Sequence, residues 1–177
     1  TKEKMKRELI TELCAVLSFS AIQNNDKIGV IFFSDQIELF IPPKKGKSHI
    51  LRIIRELIEF TPQSKKTNIS QALKYFTNVI KKRSIAFLMS DFLDTNYEDA
   101  LKIANRKHDV VGIRIYDRRE KELPDVGLIK VQDAESGELR WLDTSDQKVR
   151  TSYKASSLQF DDNLKKLLNR SGVDFTS

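Results

Sequence analysis

Ser84-Ile85-Ala86-Phe87-Leu88-Met89-Ser90-Asp91 is an apolar run that stops on a carboxylate. From Ile85 to Met89 there is no polar alternation, so the run reads as a strand covered on both faces. Lys27-Ile28-Gly29-Val30-Ile31-Phe32-Phe33 has the same character, and Asp109 to Tyr116, entered through Lys107-His108, makes a third strand. Helical periodicity fills the intervals. Buried strands alternating with amphipathic helices predict a mostly parallel sheet with helices on both faces.

The first helix is expected over Lys2 to Asn24. Leu9, Leu13, Val16, Leu17 and Ser20 share one face, with Ile10, Cys14 and Ala21 adjoining, and Asn24-Asn25 tolerates the left-handed turn that ends it. Ser34-Asp35-Gln36 is too short for a parallel crossover, so Ile37 to Ile41 becomes an antiparallel edge strand, which Pro42-Pro43 stops. A helix over Ser48 to Glu59 buries Ile50, Leu51, Ile53, Ile54, Leu57 and Ile58. The next helix opens at Asn68, with Gln71 in capping-box register, and turns Ile69, Ala72, Leu73, Phe76, Val79 and Ile80 inward. Thr95 with Glu98 predicts the cap of a fourth helix carrying Tyr97, Leu101 and Ala104. Beyond Tyr116 the pattern changes. Leu128 to Asp133 and Glu138 to Leu142 alternate around Glu135-Ser136-Gly137, which reads as a hairpin insertion. A long helix, Asp146 to Arg170, a stop at Gly172 and the start of a strand at Val173-Asp174-Phe175 complete a single α/β domain over 1–177.

The chain has 177 residues, 40% hydrophobic and 32% charged, a balance that argues against disorder and membrane-spanning classes. Its single cysteine, Cys14, excludes an internal disulfide, lies in an apolar helical pattern and reads as a small core residue; the setting fits the cytoplasm. The formal charge of +6 raises nucleic acid as a ligand. However, the basic clusters Lys44-Lys45-Gly46-Lys47, Lys65-Lys66, Lys81-Lys82-Arg83 and Arg118-Arg119 are short and fall at loops or helix ends, where solvated charge is ordinary. His49 and His108 read as structural, and Trp141 as hairpin packing.

Ligands of open α/β sheets gather at the carboxyl ends of the strands. Asp91 ends a buried strand, and Thr67 precedes the helix that feeds that strand, so both are expected at the same edge. A carboxylate, a hydroxyl and waters suit a hard ion such as Mg²⁺ or Mn²⁺, held at about 2.1 Å in the case of Mg²⁺. The plainer reading makes Thr67 a helix-entry residue and Asp91 a turn cap. Asp91 with Asp94 raises a metal-dependent hydrolase as a further alternative. Nucleotide-binding glycine fingerprints and the nucleophile elbow are absent.

Several stretches carry a family resemblance: Asn24-Asn25-Asp26-Lys27-Ile28-Gly29-Val30-Ile31-Phe32-Phe33-Ser34-Asp35, Pro42-Pro43-Lys44-Lys45-Gly46 and Ser90-Asp91-Phe92-Leu93. Arg106-Lys107-His108-Asp109-Val110-Val111, Leu123-Pro124-Asp125-Val126-Gly127 and Asp133-Ala134-Glu135-Ser136-Gly137 continue it. The chain resembles the von Willebrand factor A-like domain of bacterial proteins encoded beside MoxR-type AAA+ ATPases, domain-of-unknown-function family fifty-eight. The resemblance implies a Rossmann-like sheet and a metal-ion-dependent adhesion site, with Thr67 as its loop threonine and Asp91 as its strand-end aspartate. It also implies an interaction module rather than an enzyme, with a MoxR-type ATPase or its client as partner. Location would be cytoplasmic, or at a membrane through regions outside this chain. The Asp-x-Ser-x-Ser part of such a site, with the central first strand, would precede Thr1. The chain is therefore expected to be truncated at the N-terminus, and at the C-terminus as well. Two neighbouring strands would then lack a partner, and only two of five side-chain donors would be present.

Overall fold

Six residues, Ile28–Phe33, form β1, and eight, Ile37–Lys44, form β2, paired antiparallel through the tight Ser34-Asp35-Gln36 connection. The computed structural model describes residues 2–64, 66–117, 121–132 and 139–176. Lys65, the Arg118-Arg119 cluster and the Glu135-Ser136-Gly137 turn lie outside them. Contrary to expectation, β2 does not stop at Pro42-Pro43 but runs on to Lys44. The register slips between Ile28/Lys44 and Val30/Ile41, and a bulge there accommodates the two prolines. Gly29 makes this possible, because a Cβ on it would sit 2.8 Å from the Ile41 carbonyl oxygen and from the Pro43 nitrogen.

A second sheet is parallel throughout. β3 (Ile85–Ser90) pairs with β4 (Asp109–Arg114), and β4 with β7 (Asp174–Thr176), giving the order β3-β4-β7. Among the described residues no ladder joins β1 to β3. The fold is therefore mixed α/β of the von Willebrand A-like kind. The hairpin insertion is present as β5 (Leu128–Gln132) and β6 (Leu139–Asp143).

Among the described residues five helices accompany the strands: α1 (Lys2–Gln23), α2 (Lys47–Glu59), α3 (Ile69–Val79), α4 (Glu98–Lys107) and α5 (Gln147–Arg170). Contacts divide the chain into two compact units, residues 1–115 with 167–177, and residues 116–166. In the first, Phe32, Ile41, Ile53 and Leu57 form a buried cluster against which Ile10, Cys14, Val30 and Phe60 pack. The Phe32 and Phe60 rings lie 4.7 Å apart. The inward seam of α1 differs from the predicted stripe: Ile10 and Cys14 pack on the cluster and Ser18 is buried, whereas Leu9, Val16 and Ser20 are exposed. The apolar surface of α1 is wider than the core it meets, so the i, i+4, i+8 line through Ile10 takes the inside. Likewise Leu51 and Ile58 are exposed on α2, where Ile50, Ile53 and Leu57 suffice.

Two hydrogen bonds orient the strands. The Asn68 N–H donates to the Ser34 carbonyl just beyond β1 (2.9 Å), and the Ile69 N–H to Asp94 just beyond β3 (2.7 Å). One helix entrance therefore marks the carboxyl ends of both strands, and β1 and β3 finish at the same edge.

Candidate functional site at the carboxyl edge

Asp91 follows the last residue of β3 and is held by its surroundings rather than dangling. Its Oδ1 accepts from the Leu93 N–H at 3.3 Å, the turn-capping arrangement open to it from sequence. Its Oδ2 lies 3.9 Å from the Lys6 ammonium on α1. The Asp91 side chain is 35% exposed, so this pair is screened and contributes little to stability.

The turn itself depends on Phe92, which sequence reasoning passed over. Phe92 has φ 59°, a left-handed conformation that a residue with a Cβ adopts at a cost of about 1–2 kcal/mol. Its ring is 1% exposed, near Tyr97 and Phe175 at centroid distances of 6.1 and 6.5 Å. Gly112 on β4 faces the ring, a Cβ there lying 3.4 Å from its tip, at ordinary contact distance. Burial of the ring thus holds the backbone that presents Asp91. The Ser90 hydroxyl adds a bond by accepting from the Phe92 N–H at 3.1 Å.

Thr67 is exposed at the entrance to α3. Together with Asn68, Ser70, Gln71, Lys74, Asp94, Thr95 and Asn96 it lines an open polar depression of about 490 Å³. Asp94 is the carboxylate that shares this depression with Thr67; Asp91 is not among its lining residues. Both Asp94 oxygens are engaged, Oδ2 by the Ile69 N–H (2.7 Å) and Oδ1 by the Thr95 N–H (2.8 Å). Asp94 therefore acts as a staple between the loop after β3 and the start of α3. Asn68 caps α3 as predicted, its Oδ1 accepting from the Gln71 N–H at 2.9 Å. The predicted Thr95–Glu98 cap of α4 does not form. Tyr97 occupies the cap position without a side-chain bond, and Glu98 pairs instead with Lys102 at 2.7 Å, which holds its carboxyl below the usual range. Tyr97 is buried, and desolvation, followed by the nearby Asp94, pushes its hydroxyl up to about 12.

The other singled-out residues fall as follows. The His49 Nε2 lies 2.9 Å from the Ile28 carbonyl oxygen, a structural contact. His108 is 2% exposed and packs against Phe76 at 4.3 Å, with neither ring nitrogen partnered. Cys14 is half-buried beside the Met89 sulfur at 3.9 Å, and burial raises its thiol to about 11. Trp141 is not packed in its hairpin: it is 63% exposed, with the Lys130 ammonium 5.9 Å from its ring. The register places Trp141 opposite Lys130, which is too slender to cover an indole.

Thr67 and Asp91 offer hard oxygen donors of the kind Mg²⁺ or Mn²⁺ accepts. Among the described residues, no group of three or more His, Cys, Asp or Glu converges to hold an ion. Two donors alone would leave most of an ion's coordination to water.

A family model described as "Protein of unknown function DUF58" matches residues 1–161. The chain is 28% identical over 138 residues to "Uncharacterized protein Mb1516" of Mycobacterium bovis, covering 76% of this chain and 44% of that one. It is 29% identical over 117 residues to "Uncharacterized protein MAV169" of Mycobacterium avium, covering 64% and 68%. The chain thus spans less than half the length of the first relative. Among solved structures it is similar to an aerotolerance-related membrane protein from Bacteroides fragilis, with a TM-score of 0.54 at 14% identity over 90% of this chain and 88% of that one. That likeness concerns the fold.

Proposed function

The chain belongs to the DUF58 family, and from that membership we propose that it is a non-enzymatic module that binds another protein through the carboxyl edge of its sheet. The observation that carries this reading is the presentation of Asp91. A buried ring in a left-handed turn fixes an otherwise exposed carboxylate at the edge where α/β sheets bind ligands. In this reading Thr67 and Asp91 contribute to the holding of Mg²⁺ or Mn²⁺, directly or through water, and the remaining ligands come from outside residues 1–177. The ion leaves a position for an Asp or Glu of the partner. A MoxR-type AAA+ ATPase or its client is the partner that the family resemblance favours. The chain would act in the cytoplasm; no helix among the described residues is long and apolar enough to cross a membrane.

Binding of the full-length protein to the ATPase, followed by titration calorimetry with and without Mg²⁺, tests the reading. Asp91→Ala and excess chelator should each weaken the complex at least tenfold. Equal affinity in all three conditions would remove the ion from the proposal, and no binding by the unaltered protein would remove the partner. A hydrolase built on Asp91 and Asp94 is less well supported, because both Asp94 oxygens already accept backbone N–H groups.

A further inference from the structure

The edge opposite Asp91 has a different charge. Lys27 directly precedes β1. Lys44 ends β2 opposite Ile28, and Lys45 and Lys47 follow at the start of α2, which His49 ties back to the Ile28 carbonyl. Lys81, Lys82 and Arg83 connect α3 to β3, and Arg106 and Lys107 form the last turn of α4 ahead of β4. β3 and β4 begin in register, Ile85 beside Asp109, and β1 runs in the same sense as β3. All nine cations therefore lie at the amino edge of the strands. Each is exposed, and among the described residues none makes an ion pair. The strand-entry carboxylates Asp26, Asp109 and Asp174 offset only part of this charge. The carboxyl edge carries the acids Asp35, Asp91, Asp94, Glu98 and Asp99, interspersed with the cations Lys6, Lys66 and Lys74.

Helix dipoles account for only part of this asymmetry. Cations favour helix C-termini, which covers Arg106 and Lys107. Lys45 and Lys47 stand at the N-terminus of α2, where the dipole opposes them and no acidic residue occupies the first turn. The dipole therefore does not explain their placement.

We propose that the amino edge is a docking face for an anionic lipid surface. Seven of the nine cations are lysines, compact hydrated point charges suited to diffuse attraction rather than to forked recognition of single phosphates. No aromatic residue separates them within any of the four segments, so the stacking platforms of single-stranded nucleic-acid sites are lacking. Three of the segments precede β1, β3 and β4 and the fourth follows β2, whose end lies beside the start of β1, so the charge is spread over several chain segments rather than gathered at one point, as a surface of many headgroups requires. The face is separate from Asp91, so a protein partner at one edge and lipid at the other do not compete.

Co-sedimentation of the 177-residue chain with vesicles tests this. Binding is expected to vesicles containing phosphatidylglycerol and not to phosphatidylcholine alone. It should fade between about 0.01 M and about 1 M salt, as the screening length falls from about 30 to about 3 Å. Each cation removed should weaken partitioning about fivefold, so Lys81→Ala with Lys82→Ala lowers it about 25-fold. Lys148→Ala with Lys165→Ala, equal in charge but in the second unit, should leave it unchanged, with circular dichroism verifying the fold of each variant. Equal binding to neutral vesicles, or equal loss in the Lys148/Lys165 control, overturns the proposal. So does binding to duplex DNA or to polyglutamate in the absence of vesicle binding, which would give the edge a different partner.

Discussion

At the scale of single residues, two buried side chains carry costs that can be measured. Phe92 combines a left-handed backbone with a buried ring. Phe92→Ala removes the ring but keeps a Cβ in the strained conformation, and should lower unfolding free energy by about 3–5 kcal/mol. Phe92→Gly loses the same ring and releases the strain, so it should cost about 1 kcal/mol less than the alanine variant. Urea melts of the pair decide this; an alanine variant as stable as the glycine one would mean that the backbone is not strained. His108 is buried without a partner, and desolvation, then Lys107, lowers its pKa below the usual 6.5. The unfolded chain therefore takes up a proton first as pH falls. Stability from this residue is complete above about pH 6.5 and is lost as pH drops towards the folded-state value. His108→Leu should flatten the change in unfolding free energy between pH 7 and pH 5, while the carboxylates Glu98, Glu122 and Asp143, all held low by their partners, titrate below that window. Neither feature was legible in sequence: the first needs a backbone angle, the second a count of neighbours around a ring.

At the scale of elements, the entrance to α3 separates structural from functional carboxylates. Asn68→Ala should cost about 1 kcal/mol as a lost cap. Asp94→Ala removes acceptors from the Ile69 and Thr95 N–H groups and should cost about 1–3 kcal/mol. Asp91→Ala, with one weak turn bond and one screened ion pair, should cost less than about 1 kcal/mol. Thermal melts of the three variants rank them, and an Asp91 variant as damaged as the Asp94 one would assign Asp91 to structure. Local chemistry made some of these elements readable. The Asn68–Gln71 spacing, the apolar runs of β1 and β3, and the stop at Gly172, with φ 70°, follow from the residues alone. Where sequence misled, a competing contact, local or distant, had intervened. Lys102 drew Glu98 away from Thr95, Gly29 let β2 pass two prolines, and Asp94, read as half of an acid pair, went to a helix entrance twenty-five residues earlier in the chain.

At the scale of the whole molecule, the antiparallel pairing of β1 with β2 was foreseeable from connection length, while among the described residues no ladder bridges the break between β1 and β3. The charge asymmetry was not foreseeable. Each basic cluster, taken singly, looks like an ordinary loop, and only the shared direction of the strands collects them at one edge. The same break leaves β3 with a ladder to β4 on one side and, among the described residues, none on the other. Ile85 and Phe87 on this strand are 66% and 42% exposed, unusual for a run read as buried on both faces. An open, apolar strand edge templates pairing with another chain. The 177-residue chain should therefore self-associate with rising concentration. Phe87→Lys should return it to monomer, because a lysine on an edge strand opposes a second strand. Phe87 is already partly in water, so this change should cost less than Leu88→Ala, which empties a buried position on the same strand and should lose about 2–5 kcal/mol. Sedimentation velocity over a concentration series, paired with urea melts, separates the two effects. A monomeric unaltered chain, or a lysine variant that associates equally, would show that the β3 edge is not the point of contact.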